Sequence, residues 1–125
     1  MTSLAHVNIR TANLERSVAF YRDVLGLSPG PAATRQGSAD HVWMSDEHGQ
    51  PCIHLQRTSF AAEDLGEIAG MHHLALACSD PDGWRQKLSD LGVDFQEAEF
   101  TAARVVQFNL LDPNNVRIEL LFESQ

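Results

Sequence analysis

An internal repeat is the feature that most constrains how this chain can fold. When the second half of the sequence is placed over the first, His73 falls on His6, 67 residues earlier, and Gly92 falls on Gly26, 66 residues earlier. The order of apolar, polar and turn-forming segments around these positions is the same in both halves. A repeat of this kind predicts that one small supersecondary unit occurs twice in the chain.

Each repeat predicts one strand, one helix and three further strands. In the first half these elements are expected over 6–10, 14–25, 28–35, 41–45 and 52–57. In the second half they are expected over 73–77, 81–91, 95–100, 104–111 and 116–122. Asn13 and either Ser79 or Asp80 can cap the helices, and a glycine follows each helix. We therefore expect an α+β fold in which two βαβββ units form a curved mixed sheet.

The expected core lies between the helices and the sheets of one domain. Apolar side chains recur at helical spacing at Leu14, Val18, Tyr21, Leu25, Trp84, Leu88 and Leu91. Because 125 residues are few for two independent domains, we expect a single domain over 1–125. Its first module is expected over about 4–57, its linker, with a helical turn around 61–65, over about 58–70, and its second module over about 71–122.

Composition excludes several classes of partner. The chain has 17 acidic and 9 basic residues, which gives a formal net charge of −8. Because this charge repels phosphate backbones and anionic lipid, neither nucleic acid nor a membrane is an expected partner. No apolar run reaches the roughly 20 residues of a membrane-spanning helix, and the first residues lack a signal-peptide pattern. Cys52 and Cys78 lack CxxC spacing and are expected to be reduced thiols, so we expect a cytoplasmic protein.

The first and last strands of each repeat carry polar side chains on one face. Val7 and Ile9 alternate with His6 in the first strand, and His54 alternates with aliphatic neighbours in the last strand of the same half. The aliphatic face suits the helix, and the polar face then borders a cleft. The four residues that could bind a metal, at equivalent positions of the two repeats, are His6, His54, His73 and Glu119.

Three imidazoles and one carboxylate favour Fe(II), Mn, Ni, Co or Zn over Ca. If His54 does not bind the metal, the remaining residues form the two-histidine, one-carboxylate set of non-haem Fe(II) oxygenases. The sequence leaves both arrangements open. A single strand histidine is more often a half-buried hydrogen-bonding side chain than a ligand, and the recurrence in a repeat is what favours a site. His41 has no clear strand parity, and His48 lies in a turn.

Two segments of the chain resemble a known family. Leu14–Leu27 (LERSVAFYRDVLGL) is similar to the first-helix signature of glyoxalase and bleomycin-resistance proteins. Asp112–Leu120 (DPNNVRIEL) resembles the closing hairpin of the same family, and the likeness runs from Ala5 to Phe122. The chain is thereby identified as similar to the vicinal oxygen chelate superfamily, which also includes extradiol dioxygenases.

The resemblance implies a divalent metal that binds two vicinal oxygens of a small-molecule substrate and stabilises developing negative charge. By motif position, His6, His73 and Glu119 match ligand positions that recur in the metal-dependent members. Position 54 departs from lactoylglutathione lyase, which resembles this chain elsewhere but has Glu there, so glyoxalase I activity is not expected. The resemblance also implies a homodimer, in which His6 and His54 of one chain can meet His73 and Glu119 of the other. A site closed within one chain is the alternative.

Two functions remain open on the sequence. The first is a metal-dependent lyase, isomerase or ring-cleaving dioxygenase, with His54 and Glu119 as catalytic residues and His54 as general base if it is not a ligand. The second is a metal-free protein that sequesters a cationic or aromatic drug, as bleomycin-resistance proteins do; the negative charge, Trp43 and Trp84 favour it. By strand parity the pocket walls are expected to include Asn8, Arg10, Gln56, Met71, Ala75 and Arg117.

Overall fold

Each half of the chain folds around its own four-stranded sheet in the computed structural model, which describes residues 4–30, 39–59 and 73–123. The chain divides into two compact units, Met1–Gly66 and Glu67–Gln125. None of the described helices is long and apolar enough to cross a membrane.

The first unit has the order strand, helix and three strands. Its elements are β1 (Val7–Thr11), α1 (Leu14–Asp23), β2 (Ser28–Gly30), β3 (His41–Ser45) and β4 (Pro51–Arg57). The sheet order is β1-β4-β3-β2, in which β1 runs parallel to β4 and the other pairs are antiparallel. Because parallel neighbours need a crossover connection, the intervening chain carries α1 and two strands before it returns to β1.

The second unit repeats this topology. Its elements are β5 (Leu74–Cys78), α2 (Pro81–Asp90), β6 (Gln96–Phe100), β7 (Val105–Leu111) and β8 (Arg117–Glu123). Its sheet order is β5-β8-β7-β6, with β5 parallel to β8. The expected α+β fold with two βαβββ units is thus confirmed.

The predicted caps form in both helices. The Asn13 side chain accepts a hydrogen bond from the Arg16 backbone N–H at 3.0 Å, and the Asp80 side chain accepts one from the Gly83 N–H at 3.1 Å. Gly26, at φ +74°, and Gly92, at φ +67°, take the left-handed conformation that follows a helix end. Both helices end a residue or two before the predicted limits.

The predicted helix faces are buried or half-buried with one exception. Tyr21 and Leu88 are fully buried, and Trp84 is half-buried. Leu91, however, is 48% exposed, so its assignment to the core was wrong. The physical reason is that α2 ends at Asp90 and Leu91 is its C-terminal cap, where the helical repeat no longer directs the side chain toward the sheet.

Several expectations fall outside the described residues. These are the end of the predicted strand 28–35 beyond Gly30, the helical turn around 61–65, most of the linker, and Met71. The single-domain expectation stays a prediction.

Cys52 and Cys78 are free thiols, and burial raises the pKa of the Cys52 thiol, which keeps it protonated.

The turns that lead into the last strands have the same hydrogen bonds in both units. Asp46 Oδ1 accepts from the N–H groups of His48 and Gln50, each at 2.9 Å. Asp112 Oδ1 accepts from the N–H groups of Asn114 at 2.7 Å and Val116 at 2.8 Å. This aspartate closes the turn through local side-chain hydrogen bonds, which is why the residue type recurs 66 positions apart.

Asp112 is 4% exposed, and its loss leaves two partly buried N–H groups, those of Asn114 and Val116, without their acceptor. We expect Asp112→Ala to lower the free energy of unfolding by about 1–3 kcal/mol. Asp112→Asn keeps an acceptor oxygen at the same position and is expected to lose much less. Urea unfolding followed by circular dichroism measures both. Equal losses in the two variants would show that the carboxylate charge, rather than the hydrogen bonds to the turn, stabilises the hairpin.

Candidate metal centre

Two of the predicted site residues lie near each other in the first unit. The parallel pairing of β1 and β4 places Asn8 directly beside His54, and His6 immediately precedes β1. The ring centroids of His6 and His54 are 6.3 Å apart. His6 is exposed, whereas His54 is only 9% exposed. The first unit therefore presents one accessible imidazole and one largely buried imidazole on neighbouring strands.

Both ring nitrogens of His54 have partners. The Asn8 side-chain Nδ2 lies 3.0 Å from His54 Nδ1. On the other side of the ring, His41 Nδ1 lies 2.7 Å from His54 Nε2. The two imidazoles lie in a stacked arrangement, with centroids 4.9 Å apart and planes at 27°. His54 is thus held from both sides by hydrogen bonds.

An indole ring covers the face of His54. Trp43 is directly opposite His54 in the antiparallel pairing of β3 and β4, and the two rings stack with centroids 4.3 Å apart and planes at 5°. His6 contacts the same indole edge-on, with centroids 4.6 Å apart. Trp43 is 7% exposed, and its Nε1 is buried with no hydrogen-bond partner among the described residues. This packing restricts rotation of the His54 ring.

The second unit brings its own pair together. His73 immediately precedes β5, and its Nε2 lies 3.3 Å from Glu119 Oε2. Glu119 sits on β8 between Ala75 of β5 and Asn109 of β7. The Glu119 side chain is 11% exposed and that of His73 is 40% exposed. A mostly buried carboxylate beside an accessible imidazole is a donor pair that suits a first-row divalent metal.

The surroundings of the two pairs differ. By strand register, the positions around Glu119 that correspond to Asn8 and Trp43 are Ala75 and Asn109. The first unit therefore surrounds its inner residue with an amide, an imidazole and an indole, whereas the second places a small side chain and an amide there. The duplicated framework carries two chemically different half-sites.

His41 was not among the predicted site residues, although it contacts His54. Its parity was unclear because β3 is short, but His41 and Trp43 are two residues apart and therefore share a face of the strand. Since Trp43 is opposite His54, that shared face is the one that carries the site. The antiparallel pairing of the strands on either side of the Asp46 turn is the signal that could have identified it.

The donor types of the two pairs fit a divalent metal, but each pair belongs to a different unit of the chain. Within the residues that the structure describes, no three His, Cys, Asp or Glu side chains meet in a geometry that could hold a metal. The predicted set of His6, His54, His73 and Glu119 therefore stays a prediction. Of the predicted pocket walls, Asn8, Arg10, Ala75 and Arg117 are exposed and Gln56 is half-buried.

Comparison with known proteins gives the same fold. A domain of the glyoxylase/bleomycin resistance protein/dioxygenase type from Frankia sp. EAN1pec is 17% identical, covers 100% of this chain and 94% of its own, and has a TM-score of 0.79. Lactoylglutathione lyase from Agrobacterium tumefaciens is 16% identical, with 98% and 94% covered and a TM-score of 0.71.

A third similar structure is a variant of the fosfomycin resistance protein FosX from Listeria monocytogenes, in complex with Mn(II) and 1S,2S-dihydroxypropylphosphonic acid. It is 15% identical, with 99% of this chain and 94% of that chain covered and a TM-score of 0.75. At these identities the likeness shows the fold alone. No curated protein sequence matches this chain.

The family itself is shown by sequence. A family model described as the Glyoxalase/Bleomycin resistance protein/Dioxygenase superfamily matches residues 3–120, which is nearly the whole chain. The repeat, the two βαβββ units and this match agree with one another. The chain therefore belongs to the glyoxalase/bleomycin resistance protein/dioxygenase superfamily.

Proposed function

We propose that this protein is a metal-dependent enzyme that acts on a small molecule with vicinal oxygens. The residues proposed to bind the metal are His6, His54, His73 and Glu119, with the part of His54 as ligand or proton-transfer group left open. The observation that carries the proposal is the pair formed by Glu119 and His73, 3.3 Å apart, at the positions of the repeat that His54 and His6 occupy in the first unit. The Mn(II) in the similar FosX structure supports a divalent ion.

A bound divalent ion, whether Fe(II), Mn, Ni, Co or Zn, would supply a Lewis acid for the two substrate oxygens. The protein's own residues have separate tasks. Glu119 brings negative charge to an almost buried position, where it attracts a cation more strongly than it would in water. His54 is either a fourth ligand or the group that transfers a proton to or from the substrate.

These residues are compatible with three reaction classes, namely lyase, isomerase and ring-cleaving dioxygenase chemistry. Histidine at position 54 argues against glyoxalase I activity, since lactoylglutathione lyases resemble this chain but have glutamate at that position. Arg10 and Arg117 are exposed side chains on the strands that carry the site, and a guanidinium is well suited to bind a carboxylate or phosphate of the substrate.

The second candidate, a metal-free protein that sequesters a cationic or aromatic drug, is supported by the net charge of −8. The packing of Trp43 weighs against it. This indole is 7% exposed and already has His54 stacked on it, so it offers little free surface to a planar ligand. A metal-free binder also has no reason to keep potential metal ligands at equivalent positions of the two repeats.

The first test is metal stoichiometry. We expect about one divalent ion per chain after reconstitution with Mn(II) or Fe(II), measured by elemental analysis after gel filtration. His6→Ala and His73→Ala should each abolish binding, because one ion needs ligands from both units. His48→Ala, in an exposed turn, is the matched control and should bind like the wild type. Retention of one ion by both site variants would mean two independent sites and would contradict the proposal.

The same two variants distinguish a site within one chain from a site between two. We propose a homodimer, since the family often completes its sites in this way. When His6→Ala and His73→Ala proteins are mixed and allowed to exchange subunits, a site built from two chains should regain part of its metal binding. No recovery, with exchange verified by differently tagged chains, would place each site within one chain.

Glu119 tests the importance of the negative charge. We expect Glu119→Gln, which keeps the size of the side chain, to weaken metal affinity by at least about tenfold because a neutral amide is a poorer ligand. The control is Glu99→Gln on the exposed face of β6 in the same unit, which should leave affinity unchanged. Titration with Mn(II) followed by water proton relaxation measures both. Equal affinities would remove Glu119 from the ligand set.

A further inference from the structure

The hydrogen bonds around His54 define which of its ring nitrogens carries the proton. Asn8 Nδ2 lies 3.0 Å from His54 Nδ1 and also 3.3 Å from the backbone carbonyl oxygen of His54. A carbonyl oxygen only accepts hydrogen bonds, so the Asn8 atom that faces it is the NH₂ group. This group also lies 3.4 Å from Gln56 Oε1, a second acceptor. The amide orientation therefore follows from its neighbours.

An NH₂ group can only donate, so His54 Nδ1 must accept from it. The neutral His54 ring then carries its proton on Nε2. That proton faces His41 Nδ1 at 2.7 Å, and His41 accepts it and carries its own proton on Nε2. The direction of the hydrogen bonds is thus the same throughout, from Asn8 to His54 to His41. The stack on Trp43 keeps the His54 ring in the plane that this arrangement needs.

A histidine ligand binds a metal through a deprotonated nitrogen, and it commonly donates its other N–H to a carboxylate or carbonyl. His54 has the opposite arrangement. Its Nδ1 accepts a hydrogen bond from the Asn8 NH₂ group instead of donating one to a carboxylate or carbonyl, and its Nε2 carries the proton. Coordination through Nε2 would require the proton to leave and the bond to His41 to break, and coordination through Nδ1 would displace Asn8.

We propose that Asn8 fixes His54 in the Nε2–H tautomer. In this tautomer His54 donates a hydrogen bond from Nε2–H to His41 Nδ1 and does not bind the metal. Asn8 and His41 are then positioning residues, and the protein ligands reduce to His6, His73 and Glu119. Three protein ligands leave open positions for both oxygens of a chelating substrate, which a fourth protein ligand would restrict. This inference rests on the proposed function and assigns the part of His54 within it.

The tautomer can be measured in the metal-free protein. At pH about 8, above the ordinary histidine pKa of about 6.5, nitrogen-15 correlation spectra of the neutral rings distinguish protonated from unprotonated nitrogens. We expect His54 to have a protonated Nε2 and an unprotonated Nδ1. A protonated Nδ1 in the wild type would overturn the inference, whatever the protein's activity.

The matched variant is Asn8→Asp, which has almost the same shape but only accepts hydrogen bonds. It should reverse the tautomer, with the proton on Nδ1 and an unprotonated Nε2. This variant then has the carboxylate–histidine arrangement of metal sites, and we expect its Mn(II) affinity to rise by about tenfold or more. Asn8→Ala removes the donor without supplying an acceptor and should not raise the affinity. An unchanged tautomer in a folded Asn8→Asp protein would contradict the inference.

The part of His41 as hydrogen-bond acceptor is tested by the exchange rate of the His54 Nε2 proton with water. We expect the His54 Nε2 proton to exchange with water at least tenfold faster in His41→Leu than in the wild type, because its acceptor is lost. His41→Gln, whose amide oxygen can accept, should restore slow exchange. Equal exchange rates in the two variants would remove His41 from this role, and their spectra show at the same time whether each protein is folded.

Metal binding separates failure of this inference from failure of the proposed function. We expect His54→Gln to bind Mn(II) within threefold of the wild type, whereas His73→Gln loses at least tenfold. If both variants lose affinity equally, His54 is a ligand and the inference is wrong, although the metal enzyme stands. If the wild type binds no divalent ion, the proposed function fails, and the nitrogen-15 spectra still decide the tautomer.

Discussion

Parallel pairing of the first and last strands of each unit is the constraint on which the rest of the structure depends. It pairs Val7 at the start of β1 with Ile53 of β4, and Leu74 at the start of β5 with Ile118 of β8. Residues 46 and 44 positions apart in sequence, Asn8 with His54 and Ala75 with Glu119, thereby become neighbours. Only a crossover connection allows this pairing, so the helix and the two strands that follow it return the chain to its starting edge. The proximity of the candidate site residues within each unit is a consequence of this strand pairing.

The fold was predictable because its signals are local. Caps such as Asn13, the glycines after the helices and the period-two alternation of the strands all act within a few residues, and the repeat doubles each signal. Proximity of His6 to His54 and of His73 to Glu119 followed from strand parity plus the topology. The contact of His54 with Asn8 did not follow, because it depends on the register between strands distant in sequence. The contact with His41 was missed because the register of the hairpin around the Asp46 turn was not used. The prediction that Leu91 is buried was wrong because residue spacing alone does not define where a helix ends.

The two units show how a duplicated framework can carry different chemistry. Glu119 is a mostly buried carboxyl group beside the imidazole of His73, whereas the His54 ring lies between an amide and a second imidazole. Equivalent positions of the two units thus present a carboxyl group in one and an imidazole in the other, each with different neighbours. This difference arises from substitutions at a few strand positions, with no change in the backbone order.

The aspartate turns at Asp46 and Asp112 have a consequence far from their own positions. Each turn determines where β4 or β8 begins, and therefore which residue of that strand stands opposite its antiparallel neighbour. Side chains of a strand alternate between faces, so a slip of a single residue would turn Glu119 toward the helix and present Ile118 or Leu120 to the opposite face. Two short hydrogen bonds at the hairpin thus select which surface of the sheet is charged.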